Sequence, residues 1–194
     1  MNRIGISATL VILMFSSDLF SFSLTNIGNI DNTISGNFTQ RTTVPGFLDG
    51  PISEGRFFYA PDIGLVWIVE KPITEASYIT ENGIRKADQS YLQNQQARMG
   101  KILFGLFSLD NSAERYFHRE LSGNEADWEI NLRPKQRIVK KQIKLIRLKG
   151  EKFLSSLTIQ FTDGKHILIS FNGVTPIDKL PTAHCELLTN HECS

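Results

Sequence analysis

The sequence predicts an α+β fold, a single curved antiparallel sheet with helices packed against one face. Three observations predict it. Short runs alternate apolar and polar side chains at period two, as half-buried strands do: Trp128, Ile130 and Leu132, then Leu157, Ile159 and Phe161, then Ile167, Ile169 and Phe171. Asn82-Gly83 and Asp163-Gly164 separate such runs and supply the positive φ angles of tight hairpin turns. A single long segment, Gln93 to Asp110, places Met99, Ile102, Leu103, Leu106 and Phe107 at helical steps, with Phe104 and Leu109 widening the apolar face.

The N-terminus reads as a targeting segment. Met1-Asn2-Arg3 is basic, Ile4 to Phe15 is apolar, and small residues follow, with Ser21 and Ser23 at −3 and −1 of a cut after Ser23. The apolar span is shorter than the roughly 20 residues of a membrane-crossing helix. Residues 1–23 are therefore expected to be a secretory signal, an uncleaved anchor being the alternative. Residues 24–194 then form one domain, of ordinary domain size. The formal charge of +1 gives no general case for nucleic acid. With 13 Phe against 3 Met, rigid aromatic surface would dominate any pocket.

Leu24, Ile27, Ile30 and Ile34 have helical spacing, interrupted by Gly28. From Gly36 to Pro72 the chain reads as a strand, a turn-rich loop, a strand, a Pro61-Asp62-Ile63-Gly64 corner and a further strand. Phe38, Phe57, Phe58, Tyr59, Leu65, Val66, Trp67, Ile68 and Val69 crowd these strands. They perform no acid–base chemistry at neutral pH, so the stretch is suited to holding something apolar. Ala76 to Thr80 and Ile84 to Ala87 form a hairpin. Ser112 to Leu121 is expected to be a second, shorter helix, with Ser112 as N-cap and Tyr116 and Phe117 on its apolar side. Ile143 and Leu145 have one strand parity and Ile146 and Leu148 the other, which calls for a bulge near Leu145.

Catalytic patterns are absent from the sequence: no nucleophile elbow, P-loop, HExxH pair or dinucleotide fingerprint. His118, His166, His184 and His191 are scattered. Neither an enzyme nor a cofactor is expected, a hydrolase with an unrecognised site being the alternative. Cys185 and Cys193 lie close together in the tail, and export would make them a disulfide. His184 and His191 beside them keep a Cys/His metal site and free thiols as alternatives, but the spacing matches no zinc pattern and no metal is expected. The basic run of Arg133, Lys135, Arg137, Lys140, Lys141, Lys144, Arg147, Lys149 and Lys152 is interleaved with apolar residues at strand period. It reads as the polar face of an outer strand, an anionic membrane or partner surface and, after it, nucleic acid being the alternatives.

The aromatic area exceeds what one helix covers, and Gly105 breaks the bulky face of the long helix into Ile102-Leu103-Phe104 and Leu106-Phe107. That favours an apolar cavity under a movable lid, an ordinary filled core being the alternative.

The pattern Gly36-x-Phe38-x-Gln40, then Gly55-x-Phe57, Pro61 and Trp67 followed by Lys71-Pro72, resembles the LolA family of periplasmic lipoprotein carriers. Trp128-x-x-x-Leu132-x-Pro134 and Thr162-Asp163-Gly164 look like its second half, so the similarity covers nearly the whole chain after residue 23. The resemblance implies an unclosed antiparallel β-barrel with helices capping its concave face. It also implies a periplasmic monomer that takes an acylated lipoprotein or other lipid from an inner-membrane transporter to an outer-membrane acceptor. The acyl-binding surface is expected at Phe38, Phe58, Leu65, Trp67, Val69, Leu103, Phe104, Phe107, Ile159 and Phe161. One departure is Ala60, where well-studied carriers of this family have an Arg that ties the lid shut; Gly64 also lengthens the corner. An accessory lipid- or glycolipid-binding protein of a dedicated exporter, and an exported β-domain for protein interaction, are the alternatives.

Overall fold

The computed structural model describes residues 32–46, 50–61, 63–88, 90, 102, 104–107, 114 and 116–189. The expected signal, Leu24, Ile27 and Ile30 of the helical spacing, and most of Gln93 to Asp110 lie outside them; Ile34, the last residue of that spacing, begins a strand instead. The strands are β1 (Ile34–Thr43), β2 (Ile52–Ala60), β3 (Gly64–Lys71), β4 (Glu75–Thr80), β5 (Gly83–Lys86), β6 (Phe117–Asn124), β7 (Asp127–Pro134), β8 (Ile143–Gly150), β9 (Leu154–Phe161) and β10 (His166–Pro176). The helices are α1, described at residues 102 and 104–107, α2 (Arg137–Lys140) and α3 (Thr182–Thr189).

The ten strands form one antiparallel sheet in the order β5-β4-β3-β2-β1-β10-β9-β8-β7-β6. Each half is a meander whose strands follow one another through short turns. The halves join where β1 pairs with β10, with Phe38 opposite Phe171 and Gln40 opposite Ile169. β5 and β6 are the two edges, so the curved sheet stays unclosed. The connection from β5 to β6 must therefore run from one edge of the sheet to the other, and α1 lies in it.

Alternation splits the sheet into two apolar faces. Phe57, Tyr59, Leu65, Ile130, Ile159 and Phe171 belong to the main core, together with Leu106 and Phe107 of α1. Their sequence neighbours Phe58, Ala60, Val66 and Ile68 point the other way and meet Leu180, Cys185 and Leu188 of the C-terminal segment. Helices thus pack on both faces, whereas the sequence reading expected them on one. Cys185 and Leu188, three residues apart, put two apolar groups on the same side of α3. Arg85 of β5 secures that helix by donating to the Leu187 and Leu188 carbonyl oxygens, the latter at 2.9 Å. These carbonyls belong to the last turn of α3, which lacks partners of its own and attracts a cation.

The expected helix from Ser112 to Leu121 is corrected: Phe117–Asn124 is a strand. Phe117, Arg119 and Leu121 alternate with exposed residues, and the run pairs with β7 from Phe117–Pro134 to Asn124–Asp127. Gly123, at φ 95°, enters the turn, and the Asn124 side chain accepts from the Ala126 and Asp127 amides. Local helix propensity yields here to pairing along a whole edge. The bulge near Leu145 is present as a register shift between Ile143 and Leu145, which returns Ile143, Ile146 and Leu148 to the same core. In the basic run, Arg133 pairs with Glu120, and Arg147 and Lys149 with Glu129, across neighbouring strands on the polar face.

Candidate functional site

The main core contains a continuous set of aromatic rings, placed by glycines. Phe38 of β1 is opposite Gly55 of β2, and Gly36 is opposite Phe57. A Cβ on Gly55 would sit 3.0 Å from the Phe38 ring, and one on Gly36 would sit 2.9 Å from the Phe57 ring. The missing side chains leave each ring room to lie across its neighbouring strand. Phe38 reaches diagonally over Gly55 and stacks on Trp67 of β3, with centroids 3.8 Å apart and planes 22° apart. Phe57, directly opposite Trp67, lies 6.3 Å from it and 5.3 Å edge-on from Phe171 of β10.

Phe107 of α1 joins the set from outside the sheet. Its ring is 5.4 Å from Phe57, 5.5 Å from Phe171, 5.8 Å from Tyr59 and 6.4 Å from Trp67. Phe104 reaches Tyr59 at 6.4 Å. Aromatic pairs in such tilted and edge-on arrangements contribute about 0.5–1.5 kcal/mol each beyond burial of their area. Phe107 therefore holds α1 against the sheet through ring contacts. Arg85 is the single buried charged side chain among the described residues, and it lies on the α3 side. The aromatic face thus has no buried carboxylate, amine or imidazole among the described residues.

Of the residues expected at the acyl-binding surface, Phe38, Leu65, Phe107 and Ile159 are buried in this core, and Trp67, Val69, Phe104 and Phe161 pack against it. Phe58 departs from the set. It lies on the opposite face, with its ring 5.3 Å from His184 of α3. The reason is parity: Phe57 faces Trp67 and Tyr59 faces Leu65, so Phe58, opposite Val66, must face away. Leu103 lies outside the described residues. Phe57, Tyr59 and Phe171 share this set of rings but were not expected there from sequence. Counting back from the Ala60–Gly64 pair at the corner places Phe57 beside Trp67 and would have found the first two.

Ala60 also lies on the α3 side. A side chain there points away from Phe107. On that side Tyr78 and His184 share a 3.3 Å hydrogen bond. Desolvation, followed by the nearby Arg56 charge, pushes the His184 imidazole below its ordinary value, and burial pushes the Tyr78 phenol up. Cys185 is disulfide-bonded; Cys193, its expected partner, lies outside the described residues.

No protein-family model matches the chain, and no curated protein matches its sequence. Among solved structures, the fold is similar to a LolA superfamily protein from Nitrosomonas europaea, with TM-score 0.47 and 10% identity over 81% of this chain and 93% of that one. It is similar to MucB in the Pseudomonas aeruginosa MucA/MucB complex, with TM-score 0.47 and 10% identity over 84% of this chain. The match spans 58% of the MucB chain's length. A DUF1329 family protein from Desulfovibrio piger is similar at TM-score 0.41 and 9% identity, over 80% of this chain and 90% of that one.

Proposed function

We propose that this protein is an exported, non-enzymatic carrier that buries the acyl chains of a lipoprotein or related lipid against its aromatic face. The observation that carries this reading is the clamp of Phe107 on Phe57, Tyr59, Trp67 and Phe171. It is an apolar face of an open sheet, covered by a side chain from the edge-to-edge connection rather than by the sheet itself. An acyl chain that takes the place of Phe107 gains about 0.8 kcal/mol per buried CH₂. A chain of ordinary length can therefore offset the lost ring contacts. The carrier works as a monomer in the periplasm, loading from an inner-membrane transporter and unloading to an outer-membrane acceptor. Cys185 pairs with Cys193 in this account, and two reactive thiols under denaturing, non-reducing conditions would contradict the pairing.

A second reading has its own observation. The 3.8 Å stack of Phe38 on Trp67 leaves no gap between those rings, as in a filled core. The protein would then be a β-domain for protein interaction. Mass spectrometry of organic extracts from natively purified protein separates the two. The carrier reading expects an acyl lipid in stoichiometric amount, and extracts without lipid support the filled core.

A further inference from the structure

The connection from β7 to β8 carries a feature that the aromatic face does not use. Residues 135–144 read KQRIVKKQIK, with the cations Lys135, Arg137, Lys140, Lys141 and Lys144 and no carboxylate. All five are exposed. Lys135 donates to the Glu114 carbonyl oxygen at 2.8 Å. Arg137, Lys140, Lys141 and Lys144 have no ion pair or hydrogen-bonded side-chain partner among the described residues. They differ in this from Arg133, Arg147 and Lys149, which pair with Glu120 and Glu129 on the adjoining strands. In the middle of the unpaired set, Ile138 is 50% exposed.

Hydrogen bonds and one buried side chain fix the backbone of this turn. Val139, next to Ile138, turns inward and is buried in the main core. The Lys140 amide donates to the Gln136 carbonyl at 2.9 Å and closes the turn of α2. Thr162, in the β9–β10 turn, donates its hydroxyl to the Lys141 carbonyl at 2.8 Å and its amide to the Gln142 carbonyl at 3.0 Å. The Lys135 amide donates to the Tyr116 carbonyl at 2.7 Å. The nearest turn adds one carboxylate, Asp163, whose oxygen accepts from the Lys165 amide, and one more cation, Lys165. An apolar side chain held outward among unpaired cations is the arrangement that an anionic lipid surface complements. Isoleucine enters the headgroup boundary, and the lysine stems lie along it with their ammonium groups at the phosphates.

We propose that the α2 turn, through Ile138 with Arg137, Lys140, Lys141 and Lys144, docks the protein on an anionic phospholipid membrane. Nucleic acid fits the segment less well, because residues 135–144 contain no aromatic side chain on which a base could stack. The proposal stands apart from acyl binding: a domain with a filled core would dock in the same way.

The test is co-sedimentation of the full chain with vesicles of phosphatidylcholine alone and of phosphatidylcholine with phosphatidylglycerol. Parent and variants share the same N-terminal residues, so the readout is the change in preference for phosphatidylglycerol between them. Each cation at such a surface contributes about fivefold to partitioning. The K140E/K141E variant is expected to lose about 25-fold or more of the preference for phosphatidylglycerol. Ile138→Ser is expected to weaken binding while its salt dependence persists. Raising the ionic strength from about 0.1 M to about 1 M, which shortens the screening length from roughly 10 Å to 3 Å, should abolish the parent's preference. Circular dichroism checks that both variants fold. Equal binding of parent and K140E/K141E to phosphatidylglycerol vesicles overturns the proposal. So does a parent that ignores those vesicles but binds poly-glutamate or a single-stranded oligonucleotide, which would assign the surface to an acidic protein or to nucleic acid.

Discussion

Phe38 and Trp67 stack at 3.8 Å across Gly55, although two strand spacings separate β1 from β3. The contact exists because the intervening strand presents no side chain at that point. Gly55 also lies at a register shift between β2 and β3. A Cβ there would fall 1.9 Å from the Ile68 carbonyl oxygen, a main-chain atom that cannot swing aside. Gly55→Ala is therefore expected to destabilise the protein by about 1–3 kcal/mol through overpacking. Urea unfolding should show a lower midpoint at an unchanged slope. An unchanged midpoint would mean that the β2–β3 pair has slack the geometry does not show.

The second prediction concerns α1. Phe107 is buried, and four rings surround it, yet it comes from a connection rather than from a strand. Phe107→Asp should free α1 while leaving the ten-stranded sheet intact. Far-UV circular dichroism should stay near the parent spectrum, and hydrogen exchange at residues 104–107 should accelerate. Acyl binding should tighten by about tenfold or more, equivalent to about 1.4 kcal/mol, because the ring contacts that an acyl chain must displace are gone. If Phe104→Asp and Phe107→Asp both bind acyl ligand like the parent, α1 is plain core.

Much of this was legible in the sequence because period-two alternation survives in nearly every strand. Trp128, Ile130 and Leu132 gave β7, and the conflict between Ile143 and Ile146 gave the bulge. Phe117 to Asn124 was less legible, since a short edge strand takes its form from pairing with β7, a partner distant from the local pattern. In the candidate site, Phe38 and Trp67 were readable as bulky strand residues, and Phe107 as part of a wide apolar helix face. Phe58 was misplaced because a run of three aromatics hides parity until the corner at Ala60 and Gly64 fixes the register. The docking of α3 depends on Arg85, more than a hundred residues away in sequence, and no local signal announces that contact.

That contact gives the third prediction. Arg85→Met keeps the volume and removes both donors to the Leu187 and Leu188 carbonyls. Leaving such groups unsatisfied costs about 1–3 kcal/mol. Hydrogen exchange across Thr182–Thr189 should rise, while Trp67 and Trp128 emission stays unchanged, since both lie in the other core. A shift of either tryptophan would show that the two faces are coupled.

The fourth prediction is a pH dependence of the same helix. Desolvation depresses the His184 imidazole from its ordinary 6.5, so in the folded state it stays neutral where the unfolded chain has begun to bind a proton. The unfolded state holds more protons in that window, and stability rises with pH across it. The contribution is fully present above pH 6.5 and is lost as pH falls through 6.5 toward the depressed folded value. Thermal melts at stepped pH should show a loss in this range that His184→Gln reduces. Equal pH profiles for parent and variant would remove His184 from the account.

The most direct test of acyl binding uses Trp67 itself. Trp67 stacks on Phe38 and lies 6.4 Å from Phe107, so a chain that displaces Phe107 comes to rest on the indole. Trp128, the second tryptophan, is fully buried against Gly150, and Trp128→Phe removes its emission. Titrating that variant with a fatty acid brominated along its chain should quench Trp67 saturably, because bromine quenches only on contact. The unbrominated acid should bind without quenching and compete the effect away. Trp67 emission that stays unquenched at saturating brominated acid would contradict an acyl-binding face at this site.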